Sequence, residues 1–151
     1  MQLIESKLNE GETAIVLVPE ISLTPQMVDR FLARFGECIA VLHSKLSIGE
    51  RYDEWKKIKE GRAKIVIGAR SGVFAPISNL GIIIIDEEHD LSYKSDMTPR
   101  YNAKDIAKYI AKQNNIPIVY GSATPSITTF AKTVGAGLAL PKENIELIRV
   151  I

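Results

Sequence analysis

The run Ile82-Ile83-Ile84-Ile85 passes without transition into Asp86-Glu87-Glu88-His89. Four β-branched residues in succession fit a strand buried on both faces, because a strand with one wet face alternates apolar and polar positions. Leaving a carboxylate unpaired in an apolar interior is costly. Asp86 and Glu87 are therefore expected at the carboxyl end of the strand, on the rim where open α/β sheets bind ligands. An acid there can hold a metal ion, usually Mg2+ through water, beside substrate phosphates. A second acid one residue on can orient or deprotonate an attacking water. By itself the run also fits a buried strand followed by a solvated acidic turn, so the rest of the chain has to decide.

The rest of the chain alternates strand and helix patterns. Residues 1–9 carry a helical stripe at Met1, Ile4 and Leu8, closed by Gly11. Residues 13–18 form an apolar strand ending at Pro19-Glu20. Thr24 and Pro25 supply an N-cap and a first-turn proline, and Met27, Val28, Phe31, Leu32 and Phe35 give that helix its apolar face, with Gly36 as its stop. A second strand is expected over 38–42, and Ser47 with Glu50 has capping-box spacing for a helix ending at Gly61. Strands follow over 64–67 and 82–85. Asn102 caps a helix to about residue 114, with Ile106, Tyr109 and Ile110 on one side, and 117–120 is the last clear strand. Residues 145–151 fit a further strand. Short strands alternating with helices make an α/β fold, a parallel sheet with helices on both faces. Its loops after strands (Pro19-Glu20, 86–89 and 121–124) should then converge on one rim.

Composition excludes more than it assigns. With 151 residues the chain fits a single domain, and its net charge of +1 gives no global pull towards nucleic acid or membrane. The single cysteine, Cys38, allows neither an internal disulfide nor a cysteine-rich zinc cluster and reads as a buried thiol. No secretory signal or long apolar span is visible, so no membrane association and a cytoplasmic location are expected.

Asp86-Glu87-Glu88-His89, paired with Gly121-Ser122-Ala123-Thr124 after the next strand, resembles motifs II and III of superfamily-two DExH helicases. Narrower matches are Leu17-Val-Pro-Glu-Ile-Ser-Leu-Thr-Pro-Gln26, Leu42-His-Ser44, Gly49-Glu-Arg51, Gly68-Ala-Arg-Ser71 and Val73-Phe-Ala-Pro76. Together with Asp90-Leu-Ser-Tyr-Lys94 and Pro99-Arg-Tyr101 they are similar to the bacterial primosomal replication-restart helicases. The resemblance is clear over residues 1–130 and weak over 131–151. It implies a single partial RecA-like motor domain over 1–151, part of an ATP-dependent DNA helicase that restarts replication.

For particular residues, the resemblance implies that Asp86 holds the Mg2+ of ATP and Glu87 positions the hydrolytic water. Glu88 and His89 would link the nucleotide site to Ser122, Ala123 and Thr124. Pro19, Glu20, Thr24, Gln26, Arg70 and Ser71 would line the path of single-stranded DNA. Tyr93, Lys94, Arg100 and Tyr101 would form an aromatic-rich loop that senses DNA and signals to the ATP site. Aromatic faces stack on unpaired bases, and arginine suits phosphate. Read from the residues alone, Arg70 also fits an ordinary surface charge, Ser122 and Thr124 helix caps, and Tyr93 and Tyr101 packing residues. The implied partners are single-stranded and forked DNA, the primosome and single-strand-binding proteins.

The sequence contains no G-x-x-x-x-G-K-[S/T] loop and no zinc-binding cysteines, although relatives use zinc. The resemblance therefore implies that Met1 is internal, that the phosphate-loop strand is missing beside 117–120, and that this piece is inactive alone. Two other readings compete. A non-catalytic nucleic-acid-binding module would keep the fold without the loop. A receiver-type phospho-acceptor domain would need an acidic pair after the first strand, where Pro19-Glu20 stands.

Overall fold

The computed structural model describes residues 1–121 and the backbone of 145–148. Among the described residues four α-helices, α1 (Gln2–Asn9), α2 (Pro25–Phe35), α3 (Ile48–Lys59) and α4 (Ala103–Asn114), surround six strands. The strands are β1 (Thr13–Leu17), β2 (Ile39–Leu42), β3 (Ile65–Gly68), β4 (Leu80–Ile85), β5 (Ile118–Gly121) and β6 (Ile145–Ile148). They form one parallel sheet in the order β2-β3-β1-β4-β5-β6.

The isoleucine run divides its side chains between two cores. Ile83 and Ile85 pack with Ile58 of α3 and with Ala103, Ala107 and Ala111 of α4. Ile82 and Ile84 face the other way, towards Ile4 of α1 and Phe31 of α2. The sheet is thus covered on both faces, which is why no polar residue interrupts β4. Fully burying one such isoleucine stabilises the fold by about 1.5–3 kcal/mol, and Ile83 and Ile85 are both at 0% exposure.

Local signals in the sequence start the helices as expected. The Thr24 hydroxyl accepts from Met27 N at 3.3 Å at the start of α2. Ser47 and Glu50 make a full capping box on α3, and Asn102 accepts from Lys104 N at 3.0 Å on α4. The face of α4 differs from expectation. Its buried stripe is Ala103, Ala107 and Ala111, flanked by Ile106 and Ile110, while Tyr109 is 66% exposed. Small alanines let the helix approach the sheet closely, and the large ring is left on the wet side. Cys38 is only half-buried, in the turn before β2, where its thiol donates to Phe35 O.

The far edge of β5 also departs from expectation. The sequence implied an unpaired edge beside 117–120, but β6 pairs there in parallel, Ile118 opposite Ile145 and Gly121 opposite Ile148. The short segment Ile145–Ile148 supplies the ladder partners that an open apolar edge lacks. Among the described residues no helix is long and apolar enough to cross a membrane.

Candidate nucleotide and nucleic-acid site

Strand order reverses between β1 and β4. After β1 the chain leaves for α2 on one face; after β4 it leaves for α4 on the other. The carboxyl ends of such a pair flank a crevice, the usual ligand site of an open α/β sheet. Asp86 stands on that crevice, its N–H donating to Leu17 O at 2.8 Å. One carboxylate oxygen, Oδ1, accepts from Glu87 N at 3.0 Å.

Glu87 then turns the chain sharply, with φ at 45° in the left-handed region. That conformation costs a residue with a Cβ about 1–2 kcal/mol. It carries Glu88 back under the sheet rim, where its N–H donates to Gly121 O at 3.1 Å. A Cβ at Gly121 would lie 2.8 Å from Asp86 Oδ1, so a side chain there would displace the Asp86 carboxylate. Asp86 and Glu87 are half-buried and His89 is exposed, with His89 Nδ1 3.5 Å from Glu87 Oε2. Glu88 is only 2% exposed. Lys104 of α4 donates to the Glu88 carbonyl at 2.8 Å, and its ammonium is 3.9 Å from Glu88 Oε2. Sequence reasoning missed Lys104. The available signal was the need of a buried acid for a cation, but which lysine supplies it is decided by the packing of α4.

The candidate nucleic-acid residues fall into two groups along the same rim. Pro19 is buried, Thr24 is spent on capping, and Gln26 is exposed in the first turn of α2. Glu20 reaches across the end of β3 and accepts from both the backbone N–H and the hydroxyl of Ser44. Those hydrogen bonds, the hydroxyl first, hold its carboxylate below the ordinary range against a smaller opposing effect of burial; His43 and Lys45 add attraction.

In the second group, Ser71, Lys94 and Arg100 are exposed, and Arg70 and Tyr101 are half-buried. Arg70 Nη1 donates to Ser92 O at 3.3 Å and Lys94 O at 2.8 Å, and its guanidinium lies 5.8 Å from the Tyr101 ring centre. Tyr101 in turn meets Phe74 edge-on at 5.1 Å.

Tyr93 corrects an expectation. A stacking face for DNA has to be open, yet this ring is 1% exposed inside the α3/α4 core. Its hydroxyl contacts Leu17 O at 3.0 Å and Asp86 O at 2.5 Å. Burial, reinforced by the charges of Asp86, Asp90 and Glu87, pushes the phenol far above its ordinary pKa, so it stays a donor. The segment that follows the acid motif has local structure of its own. It contains a single helical turn, Leu91–Tyr93, and a bridge between Lys94 and Asn102. Ser122, Ala123 and Thr124 lie outside the described residues.

A doubly covered parallel sheet with an Asp-Glu pair at its switch point is the frame of a RecA-like helicase domain. The chain belongs to the DEAD/DEAH box helicase family, whose model matches residues 1–133. Among individual proteins it is similar to Replication restart protein PriA of Bacillus subtilis, 57% identical over 132 residues. That match covers 87% of this chain and 16% of the relative. The corresponding protein of Synechocystis sp. is 50% identical over 131 residues, covering 86% of this chain and 16% of its own length. The chain thus spans about a sixth of these curated relatives. The fold is also like that of the Pyrococcus furiosus Hef helicase domain, with a TM-score of 0.57 and 22% identity over 99% of this chain and 31% of that one.

Proposed function

We propose that this chain is part of an ATP-dependent DNA helicase of replication restart, in which Asp86 and Glu87 serve ATP hydrolysis. The observation that carries the reading is the placing of this acid pair on the β1/β4 crevice, in a chain 57% identical over 132 residues to PriA of Bacillus subtilis.

The donor set suits Mg2+ bound with a nucleotide. Among the described residues no group of three or more His, Cys, Asp or Glu could enclose a metal. An ion held here would rest on one or two carboxylates and take its remaining ligands from phosphate and water, as Mg2+ does. Asp86 would hold that ion, which when bound draws charge from the phosphates. Glu87 would orient the attacking water, and Glu88 and His89 would relay the state of the site towards Ser122, Ala123 and Thr124.

Single-stranded and forked DNA would follow the rim past Pro19, Glu20, Thr24, Gln26, Arg70, Ser71, Lys94, Arg100 and Tyr101. Primosome and single-strand-binding proteins would be its partners, in the cytoplasm. The test is DNA-stimulated ATP hydrolysis and unwinding by a PriA-length protein carrying this segment, alongside its Asp86→Asn variant. Hydrolysis lost in the variant supports the reading; equal rates in the two proteins would overturn it.

A further inference from the structure

The peptide unit joining Asp86 to Glu87 is held at both of its polar ends. Its N–H, on Glu87, donates to Asp86 Oδ1 at 3.0 Å. Its carbonyl, on Asp86, receives the Tyr93 hydroxyl at 2.5 Å. Because a peptide unit is planar, fixing the direction of the carbonyl also fixes the direction of the N–H. The Tyr93 hydroxyl therefore aims a backbone donor, the Glu87 N–H, that grips the Asp86 carboxylate.

The same hydroxyl lies 3.0 Å from Leu17 O, which also accepts Asp86 N–H at 2.8 Å. One buried side chain thus ties the end of β1 to the end of β4 across the crevice where strand order reverses. From outside, Arg70 holds the carbonyls of Ser92 and Lys94, the residues on either side of Tyr93.

We propose that Tyr93 is a positioning residue for Asp86, with Arg70 bracing the segment that presents it. The assignment rests on the reading of Asp86 and Glu87 as the nucleotide site. The Tyr93 ring fills the core, as a phenylalanine would, but only the hydroxyl sets the Asp86–Glu87 peptide plane. Without it the Asp86 carbonyl loses a buried partner, which backbone groups seldom go without, and the unit is free to rotate. Arg70 acts one step further out, so its loss should loosen residues 92–94 and reach Asp86 only through Tyr93.

Two measurements separate this role from packing. The first is amide hydrogen exchange on the chain itself, wild type against Tyr93→Phe. The amides of Glu87 and Glu88 are expected to exchange about tenfold faster, equivalent to roughly one net hydrogen bond. Those of Val66 and Ile83, deep in the sheet, should stay unchanged. Uniform acceleration across the sheet, or none at Glu87, overturns the proposal. The second is basal ATP hydrolysis, measured without DNA, by the PriA-length protein carrying this segment. Tyr93→Phe should lower kcat about tenfold with KM for ATP little changed. Arg70→Ala should follow in the same direction, and Arg70→Lys should recover part of the loss. Unchanged kcat beside faster exchange at Glu87 also overturns it. Absence of ATP hydrolysis in the wild type defeats the functional reading instead, and leaves the exchange result to judge the peptide geometry.

Discussion

Glu54 on α3 accepts a hydrogen bond from the backbone N–H of Val41 at 2.8 Å. Val41 lies in β2, the edge strand of the sheet among the described residues. Two residues earlier in that strand, the Ile39 carbonyl receives Lys57 Nζ at 2.7 Å. Two charged side chains of one helix thus occupy backbone groups on an edge strand that would otherwise be offered to another chain. Glu54→Ala should destabilise the fold by about 1.5–3 kcal/mol, the range for a hydrogen bond to a charged group, and Glu54→Ala/Lys57→Ala should self-associate. Denaturant melts and light scattering over a concentration series check both; a monomeric double variant of wild-type stability would contradict them.

Tyr93 and Arg100 should part company in a stability assay, although both were expected in one DNA-sensing loop. Removing a buried aromatic ring costs about 3–5 kcal/mol, so Tyr93→Ala should severely lower the melting temperature. Arg100 is exposed, and an exposed change of this kind stays within about 0.5 kcal/mol. In the longer protein, Arg100→Ala should reduce DNA stimulation of the ATPase and leave basal hydrolysis intact. Equal melting temperatures for the two variants would undo this contrast.

Glu87→Gln should keep nucleotide binding and lose most hydrolysis. The substitution preserves size and hydrogen-bonding reach, removing only the charge that activates water. A catalytic group of this type contributes on the order of 10²–10⁴ in rate. Nucleotide affinity and single-turnover hydrolysis in the PriA-length protein measure the two effects separately. Near-normal turnover would reduce Glu87 to a turn-forming acid.

Glu20 should make the fold sensitive to acid through Ser44. Its carboxyl is held below its ordinary value of 4.5, chiefly by the Ser44 hydroxyl. A depressed folded-state pKa stabilises the fold in full above that ordinary value, and the contribution fades as pH falls through the lower folded value. Ser44→Ala should flatten the pH dependence of unfolding below about pH 4.5 and move the Glu20 carboxyl resonance towards the ordinary range. The site is solvent-exposed, so the change in stability is small and the resonance is the sharper readout. An unshifted Glu20 titration in the variant would remove Ser44 as the cause.

Periodicity and caps, which are local, made most of the frame legible. An unbroken apolar run such as Ile82 to Ile85 admits burial on both faces, and Thr24, Ser47 and Asn102 mark helix starts because their side chains reach backbone N–H groups two or three residues on. The acid pair was placed on a rim by the cost of burying charge. Contacts between elements far apart in sequence were not legible. Nothing in the sequence neighbourhood of Tyr93 shows that its hydroxyl lies beneath the ends of β1 and β4, because Leu17 is far from it along the chain. The resemblance put Tyr93 on a DNA-sensing loop and the residues alone left packing open; Arg70, just after β3, supplies donors to the carbonyls on either side of the ring. The same limit hid Lys104 beside Glu88; residues 145–151 read as a strand in the sequence, but that it pairs beside β5 was decided by the fold. Sequence pattern determined which residues needed partners, and the packing of distant elements decided which partners they received.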